Sequence, residues 1–336
     1  MRSHLFDSYQ KKRIHKSIYL SVVIPTHNRC ESLGKVLNSL NNQINIDSKE
    51  FEILVIDDGS NDLTRKIVEQ FSNQSEIITR VLSEHHKGPA GARNVGIKNA
   101  CGEVILFMGD DTIGSAQFLF QHYDFHRSKH SASHFAVLGY CPMVQAHNLK
   151  PAIIQSWLNR KQMAFQNLSH LKETTYHYFY TCNLSVKRAF MLQNGLFNEQ
   201  FPFASGEDIE LGKRLSEAGM RLYYNKNAIA YHIHPMSLTN YIIRYFKMGR
   251  TAVIKKQIES GFTVTLTSSR KKFSPFMVKN PLKIATFIML YVISITAVLS
   301  GVICEKRGNK RFLSPNSSFL ISKNNKNEKQ LENENH

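Results

Sequence analysis

Residues 102–111 read GEVILFMGDD. The uncharged run Val104–Met108 is stopped by Gly109-Asp110-Asp111, which predicts a short buried strand ending in two carboxylates. Working outward, the same signal recurs at Tyr19–Ile24 (YLSVVI, stopped by Pro25), at Phe51–Ile56 (FEILVI, ending in Asp57-Asp58-Gly59-Ser60) and at Ile77–Leu82. Helical spacing fills the gaps. Leu33, Val36, Leu37 and Leu40 mark a helix over Glu31–Leu40, Asp62 is placed to cap a helix through Phe71, and Pro89–Ala100 reads as a third. This β-α-β-α order predicts an α/β fold with a mostly parallel, Rossmann-like sheet covered by helices on both faces. Ligands in such sheets bind outside the carboxyl ends of the strands, so the loops 25–29, 57–60 and 109–111 are expected to share one rim.

Downstream, the region from Phe118 to Tyr180 is rich in His and aromatic residues, with a strand expected near Phe135–Val144 and a helix after Pro151. Thr181–Val186 reads as a strand. Gly206–Gly219 reads as a helix with acidic residues in its first turn, and Arg221–His232 as a strand leading to His234-Pro235.

The chain has 336 residues, 42% hydrophobic and 21% charged, an ordinary globular balance that excludes collagen-like and wholly disordered classes. Its 43 Lys and Arg against 26 Asp and Glu give a net charge of +17 and point to an anionic partner. The charge is concentrated between Arg244 and Lys283 rather than spread over a folded face, which argues for a membrane surface and against nucleic acid. Ile284–Cys304 follows without a charge, long enough at about 1.5 Å per residue to span roughly 30 Å of hydrocarbon. Five cysteines without metal or disulfide spacing, and no apolar leader, suggest a cytosolic location for the bulk of the chain. The expected organisation is a basic arm over 1–17, a catalytic domain over 18–237, a basic amphipathic segment over 238–283, a transmembrane helix over 284–304 and a polar tail over 305–336. In the amphipathic segment, Leu238, Tyr241, Ile242, Tyr245, Gly249 and Ala252 share one helical face and Arg244, Lys247 and Arg250 the other.

Four constellations carry possible chemistry. Asp110-Asp111 suits either a metal–phosphate clamp, since hard divalent ions bind carboxylates plus substrate phosphates, or a solvated turn. Asp57-Asp58 at a strand end suits either a nucleobase or ribose contact or an Asx turn. Glu207-Asp208 opens a helix, so Asp208 suits either a general base or simple capping. His232 and His234 lie two apart on a strand and face the same way, as a metal pair or as surface residues. The dinucleotide, P-loop and nucleophile-elbow motifs are absent.

Taken in order, SVVIPTHNR (21–29), FEILVIDDGSND (51–62), KGPAGARNVGIKNA (87–100), GEVILFMGDD (102–111), TCNLSVKRAFMLQNGLFNEQF (181–201) and SGEDIELGKRLSEAGMRLYYNKNAIAYHIHP (205–235) resemble glycosyltransferase family 2, of the bacterial membrane-associated type. The resemblance implies the GT-A fold and inverting transfer of a sugar from a nucleotide diphosphate, with UDP the expected nucleotide, to an acceptor hydroxyl in surface glycan or polysaccharide synthesis. It implies Mn²⁺ or Mg²⁺ as cofactor. Pro25, Thr26, Asn28, Asp57, Asp58, Arg93 and Asp110 are implied at the donor, Asp111, Asp110, His232 and His234 at the metal, and Asp208 as the base. The adjacent Asp-Asp departs from the family's spaced D-x-D. The rival activity is a metal-dependent nucleotidyltransferase with the same clamp. The expected partners are a nucleotide-sugar donor, a glycan or lipid-linked acceptor and the cytoplasmic face of the cell membrane, reached through a single-pass or peripheral anchor near the C-terminus.

Overall fold

The computed structural model describes residues 18–83, 87–128, 131–144, 164–233, 238–258, 292–293, 295–300 and 302–303. The first half alternates as its apolar pattern dictates: β1 (Leu20–Thr26), α1 (Cys30–Asn41), β2 (Phe51–Asp57), α2 (Thr64–Gln74), β3 (Ile78–Ser83), α3 (Gly88–Asn99) and β4 (Val104–Met108). β2 and β4 are buried at every position, which is why both read as continuous apolar runs. The strands order as β3-β2-β1-β4, all parallel. The chain leaves β1 toward β2 on one side and returns to β4 on the other, so a topological switch point lies between β1 and β4. The β1–β4 register runs only to Val23↔Phe107, while β1 pairs with β2 as far as Thr26. Pro25, which cannot donate to a ladder, falls just past that last β4 pairing.

The second half adds antiparallel pairings to this parallel core. β5 (Thr112–Gly114), α4 (Phe118–Arg127), β6 (Phe135–Tyr140), β7 (Lys172–Thr174), β8 (Asn183–Lys187), α5 (Arg188–Asn194), α6 (Glu207–Glu217) and β9 (Arg221–His232) extend the sheet as β4-β8-β6-β9-β5, with β7 also on β9. β8 runs antiparallel to both β4 and β6, inserted between two strands that precede it in the chain. A buried polar cluster fixes this insertion. His122 bonds Ser185 Oγ and Asn183 Oδ1, each at 2.8 Å, and His126 Nε2 lies 2.9 Å from the same hydroxyl. Burial lowers the His122 pKa to about 4, so the imidazole stays neutral inside the sheet layer. The expected helix after Pro151, the arm 1–17, the tail 305–336 and His234 lie outside the described residues, as does most of the apolar run 284–304.

Helix α7 (Leu238–Ile258) meets the segment before α6, where Thr251 lies against Gly206. Arg250 is only 6% exposed, and its guanidinium sits 4.7 Å from the centroid of the Phe203 ring, with the Lys247 ammonium at 5.4 Å from the same ring. Both cations stand against an aromatic ring of the folded domain. A Cβ on Gly249 would collide with the Val298 carbonyl oxygen, so this glycine lets the backbone at Val298 approach the α7 backbone. Ile242 and Met248 of α7 remain exposed, as do Val292, Ile295, Leu299 and Ile303. Among the described residues no helix is long and apolar enough to cross a membrane.

Candidate active site

The three strand-end loops meet on one rim. Thr26 Oγ1 donates to Asp110 Oδ2 at 2.9 Å, tying β1 to the β4 loop. Asn28 adopts φ +52, a backbone state Asn tolerates. Its Oδ1 accepts from Asn61 N at 2.8 Å while its own N–H donates to Ser60 Oγ at 2.9 Å. Asn28, expected at the donor, thus clamps the β1 and β2 loops together. Asp57 Oδ1 accepts from Ser60 N at 2.9 Å. Asp58 accepts from Lys87 N at 2.7 Å and Gly88 N at 3.0 Å, anchoring the start of α3; a carboxylate there is favoured by the helix dipole and has further lone pairs for a ligand.

Asp110 and Asp111 are each 13% exposed in the side chain. Burial raises the Asp110 pKa to about 6, with the Asp111 charge adding to the rise and Arg29 opposing it. Arg29 Nη1 lies 2.8 Å from Asp111 Oδ2 and 3.9 Å from Asp110 Oδ1. No role had been read for Arg29; its place at the end of the PTHNR loop, on the expected rim, was the available signal. His232 reaches the pair from the last residue of β9, which pairs with Thr112 in β5. Its Nε2 is 3.5 Å from Asp111 Oδ1. Burial pushes the His232 pKa down, against the pull of Asp111, and the charges of Arg244 and Arg29 push the same way. A neutral imidazole beside two carboxylates is a donor set that fits a hard divalent ion whose other ligands are phosphate and water oxygens. Among the described residues no group of three or more His, Cys, Asp or Glu is gathered closely enough to hold a metal ion.

The second carboxylate centre opens α6. Gly206 holds φ +86 just before it, and a Cβ there would meet Thr251 Cγ2 at 2.9 Å, so the helix start is also the seat of α7. Glu207 is 2% exposed and pairs with Arg93, whose Nη1 stands 2.8 Å from Glu207 Oε1. Arg93, expected at the donor, has its guanidinium buried against Glu207 and 5.4 Å from the Phe197 ring centroid. Asp208 Oδ1 accepts from Ile209 N at 2.8 Å. Burial raises the Asp208 pKa to about 7; the Glu207 charge adds to this and Arg93 opposes it. Burial also raises the Tyr180 phenol, with the Asp208 charge second, which marks Tyr180 as a neighbour of that carboxyl. Lys247 lies near Arg29, the partner of Asp111, and its ammonium stands over the Phe203 ring. A carboxyl raised by burial, as Asp208 is, suits proton transfer near neutral pH.

Comparison with known proteins agrees with this fold. The family model described as glycosyl transferase family 2 matches residues 21–190. A curated relative from Campylobacter jejuni, a GalNAc(5)-diNAcBac-PP-undecaprenol beta-1,3-glucosyltransferase, is 30% identical over 186 residues, 54% of this chain and 55% of the relative. The chain spans about half the length of that relative. The crystal structure of Staphylococcus aureus TarS 1–349 with UDP-GlcNAc superposes with a TM-score of 0.55 at 20% identity, covering 88% of this chain and 94% of TarS 1–349. The mannosyltransferase PcManGT from Pyrobaculum calidifontis, bound to GDP-Man and Mn²⁺, gives 0.54 at 17% identity, covering 93% and 84%. These structures share the fold. With the family model covering half of the chain, residues 21–190, this protein belongs to glycosyl transferase family 2.

Proposed function

We propose that this chain is an inverting, metal-dependent glycosyltransferase that moves a sugar from a nucleoside diphosphate, with UDP the favoured nucleotide, to an acceptor hydroxyl. The observation that carries the reading is Asp208. A carboxyl at a helix start, raised by burial to about 7, is matched to take a proton at neutral pH. Asp111, Asp110 and His232 would hold the divalent ion, which supplies Lewis-acid neutralisation of the leaving diphosphate. Thr26 and Arg29 keep the two carboxylates in place. Pro25, Thr26, Asp57 and Asp58 line the rim where the nucleoside would lie. Asp208 accepts the proton of the attacking hydroxyl, and the buried Arg93–Glu207 pair beside it sets how readily it does so.

The acceptor is a glycan or lipid-linked sugar and the enzyme acts at the cytoplasmic face of the membrane, anchored near its C-terminus. The Campylobacter relative is named for a lipid-linked substrate, which supports this. So do the exposed apolar residues Val292, Ile295, Leu299 and Ile303 and the basic run that precedes them. The test is a donor screen with Mn²⁺ that scores release of UDP or GDP. Release of pyrophosphate instead, or no turnover of any nucleotide sugar, would overturn the reading.

A further inference from the structure

Two thiols that sugar transfer does not use meet beside the site. β6 and β8 run antiparallel with Leu138 opposite Leu184, and Asn183 Nδ2 donates to the Tyr140 carbonyl at 3.1 Å. A Cβ on Gly139 would collide with the Asn183 side chain, so this glycine lets the two strand ends close up. Cys141, the residue after β6, and Cys182, the residue before β8, are thereby brought together and share a hydrogen bond. Both are free thiols, Cys141 buried and Cys182 partly exposed. The Cys182 contact and burial push the Cys141 thiol up, so it stays protonated. Cys141 also lies near Asp111, and Cys182 near Tyr180, the neighbour of Asp208.

Each thiol is one step from backbone that builds the site. Asn183, next to Cys182, pairs with Met108, two residues before Asp110. On the other side the chain after Cys141 clasps His232: His232 N donates to the Pro142 carbonyl and Val144 N to the His232 carbonyl, each at 2.9 Å. A bond between the two sulfurs would draw the 141–144 segment toward β8 and so shift the backbone that seats His232. Resting on the transferase reading, we propose that Cys141 and Cys182 are an oxidative modification site, closed to a disulfide by hydroperoxides, and that closure weakens binding of the nucleoside diphosphate with its divalent ion. Susceptibility follows exposure, so the oxidant meets Cys182 first, with Cys141 behind it as the resolving thiol. Cys182 gives its proton to solvent and its thiolate attacks the O–O bond of hydrogen peroxide, becoming a sulfenic acid while hydroxide leaves and is protonated to water. The Cys141 sulfur then attacks the Cys182 sulfur. The S–S bond forms, the S–O bond breaks, and the leaving hydroxide takes the Cys141 proton as a second water. The two thiols are oxidised by two electrons and the peroxide is reduced by two. An external dithiol reopens the bond by exchange.

The test treats the full-length protein in detergent with hydrogen peroxide and removes the excess with catalase. One portion is alkylated, digested without reductant and mapped by mass spectrometry. The other is titrated calorimetrically with UDP and, separately, GDP in Mn²⁺, before and after reduction with dithiothreitol. A Cys141–Cys182 cross-linked peptide lacking two hydrogens is expected. Nucleotide binding is expected to weaken about tenfold, the lower end of what disturbing the support of a metal ligand costs, and to recover on reduction. Cys182→Ser, and Cys141→Ala as an independent variant, are expected to bind nucleotide as wild type and to form no cross-link, and Cys182→Ser to keep its affinity after peroxide. If peroxide leaves both thiols open to alkylation, if the cross-link forms with nucleotide affinity unchanged, or if Cys182→Ser loses binding to peroxide as wild type does, the proposal is overturned. If the reduced wild-type chain binds neither UDP nor GDP, the transferase reading fails and takes the effect on binding with it, while the peptide map still decides the thiol pair.

Discussion

Replacing Arg93 by Met removes the cation from a buried ion pair whose side chains are 10% and 2% exposed and whose charged atoms are 2.8 Å apart. Glu207 is then left as an uncompensated buried carboxylate, at a cost of about 3–5 kcal/mol. Native domains hold only about 5–15 kcal/mol in total. At about 2–4 °C per kcal/mol for a domain of this size, Arg93→Met should lower Tm by about 6–20 °C. The double variant Arg93→Met/Glu207→Gln removes both charges and should recover most of that loss, because the penalty comes from the orphaned charge rather than from the missing pair. The four proteins of this cycle are compared by thermal unfolding, followed by circular dichroism of the full-length chain in detergent. The same cycle has a kinetic reading. The base must be ionised to act, so kcat/KM falls as pH drops through the Asp208 pKa of about 7. Glu207 helps hold that pKa up and Arg93 opposes it. Glu207→Gln should therefore move the acid limb to lower pH. A coupling energy under about 0.5 kcal/mol, the scatter expected for independent sites, would refute the reasoning. So would an acid limb that stays put in Glu207→Gln.

Asp208→Asn should cut transfer about 10²–10⁴-fold while preserving donor binding. Because the folded pKa of Asp208 lies above its ordinary 3.8, the group costs the fold nothing below that value, costs progressively more as pH rises from 3.8 to about 7, and costs a constant amount above that. The Asn variant should accordingly melt higher than wild type at pH 8 and equal it at pH 4, and equal melting at both would contradict the shift. Asp111→Asn should lower turnover by orders of magnitude with the fold intact; undiminished wild-type activity in EDTA would remove the metal from the mechanism. Gly206→Ala forces a Cβ into φ +86 and against Thr251, a loss of about 1–2 kcal/mol read as a lower Tm, and a silent substitution would show that the α6–α7 seat is looser than described. Truncation before Pro281 should move the protein from the membrane to the soluble fraction; a full-length chain soluble without detergent would remove the anchor.

How much of this was legible follows from the range of the interactions concerned. The four parallel strands, the covering helices and the three polar loops at the strand ends were readable because each signal is local. An apolar run such as VILFM must be buried on both faces, and the turn residues after it mark where the backbone leaves the sheet. The carboxylates at 57–58, 110–111 and 208 were found for the same reason, since strand ends and helix starts are visible in the chain. The insertion of β8 between β4 and β6 was not, because it rests on buried contacts such as His122 with Ser185, 63 residues apart. The tasks of individual side chains were also set at a distance. Asp58 reaches Lys87 and Gly88, Arg93 reaches Glu207 across 114 residues, and Arg29 reaches Asp111 across 82. Nothing in the neighbours of Arg93 in the chain distinguishes a donor contact from a buried partner. The basic stripe of α7 shows the same limit. Its helical spacing was written in the chain, but which side turned inward was decided by Phe203 and by the bare Cα of Gly206, where close packing of Thr251 became possible. Hydrophobic periodicity specifies elements because burial is a property of each residue's own surface. Charge pairing is decided by which elements the fold brings together, and only the tertiary structure supplies that.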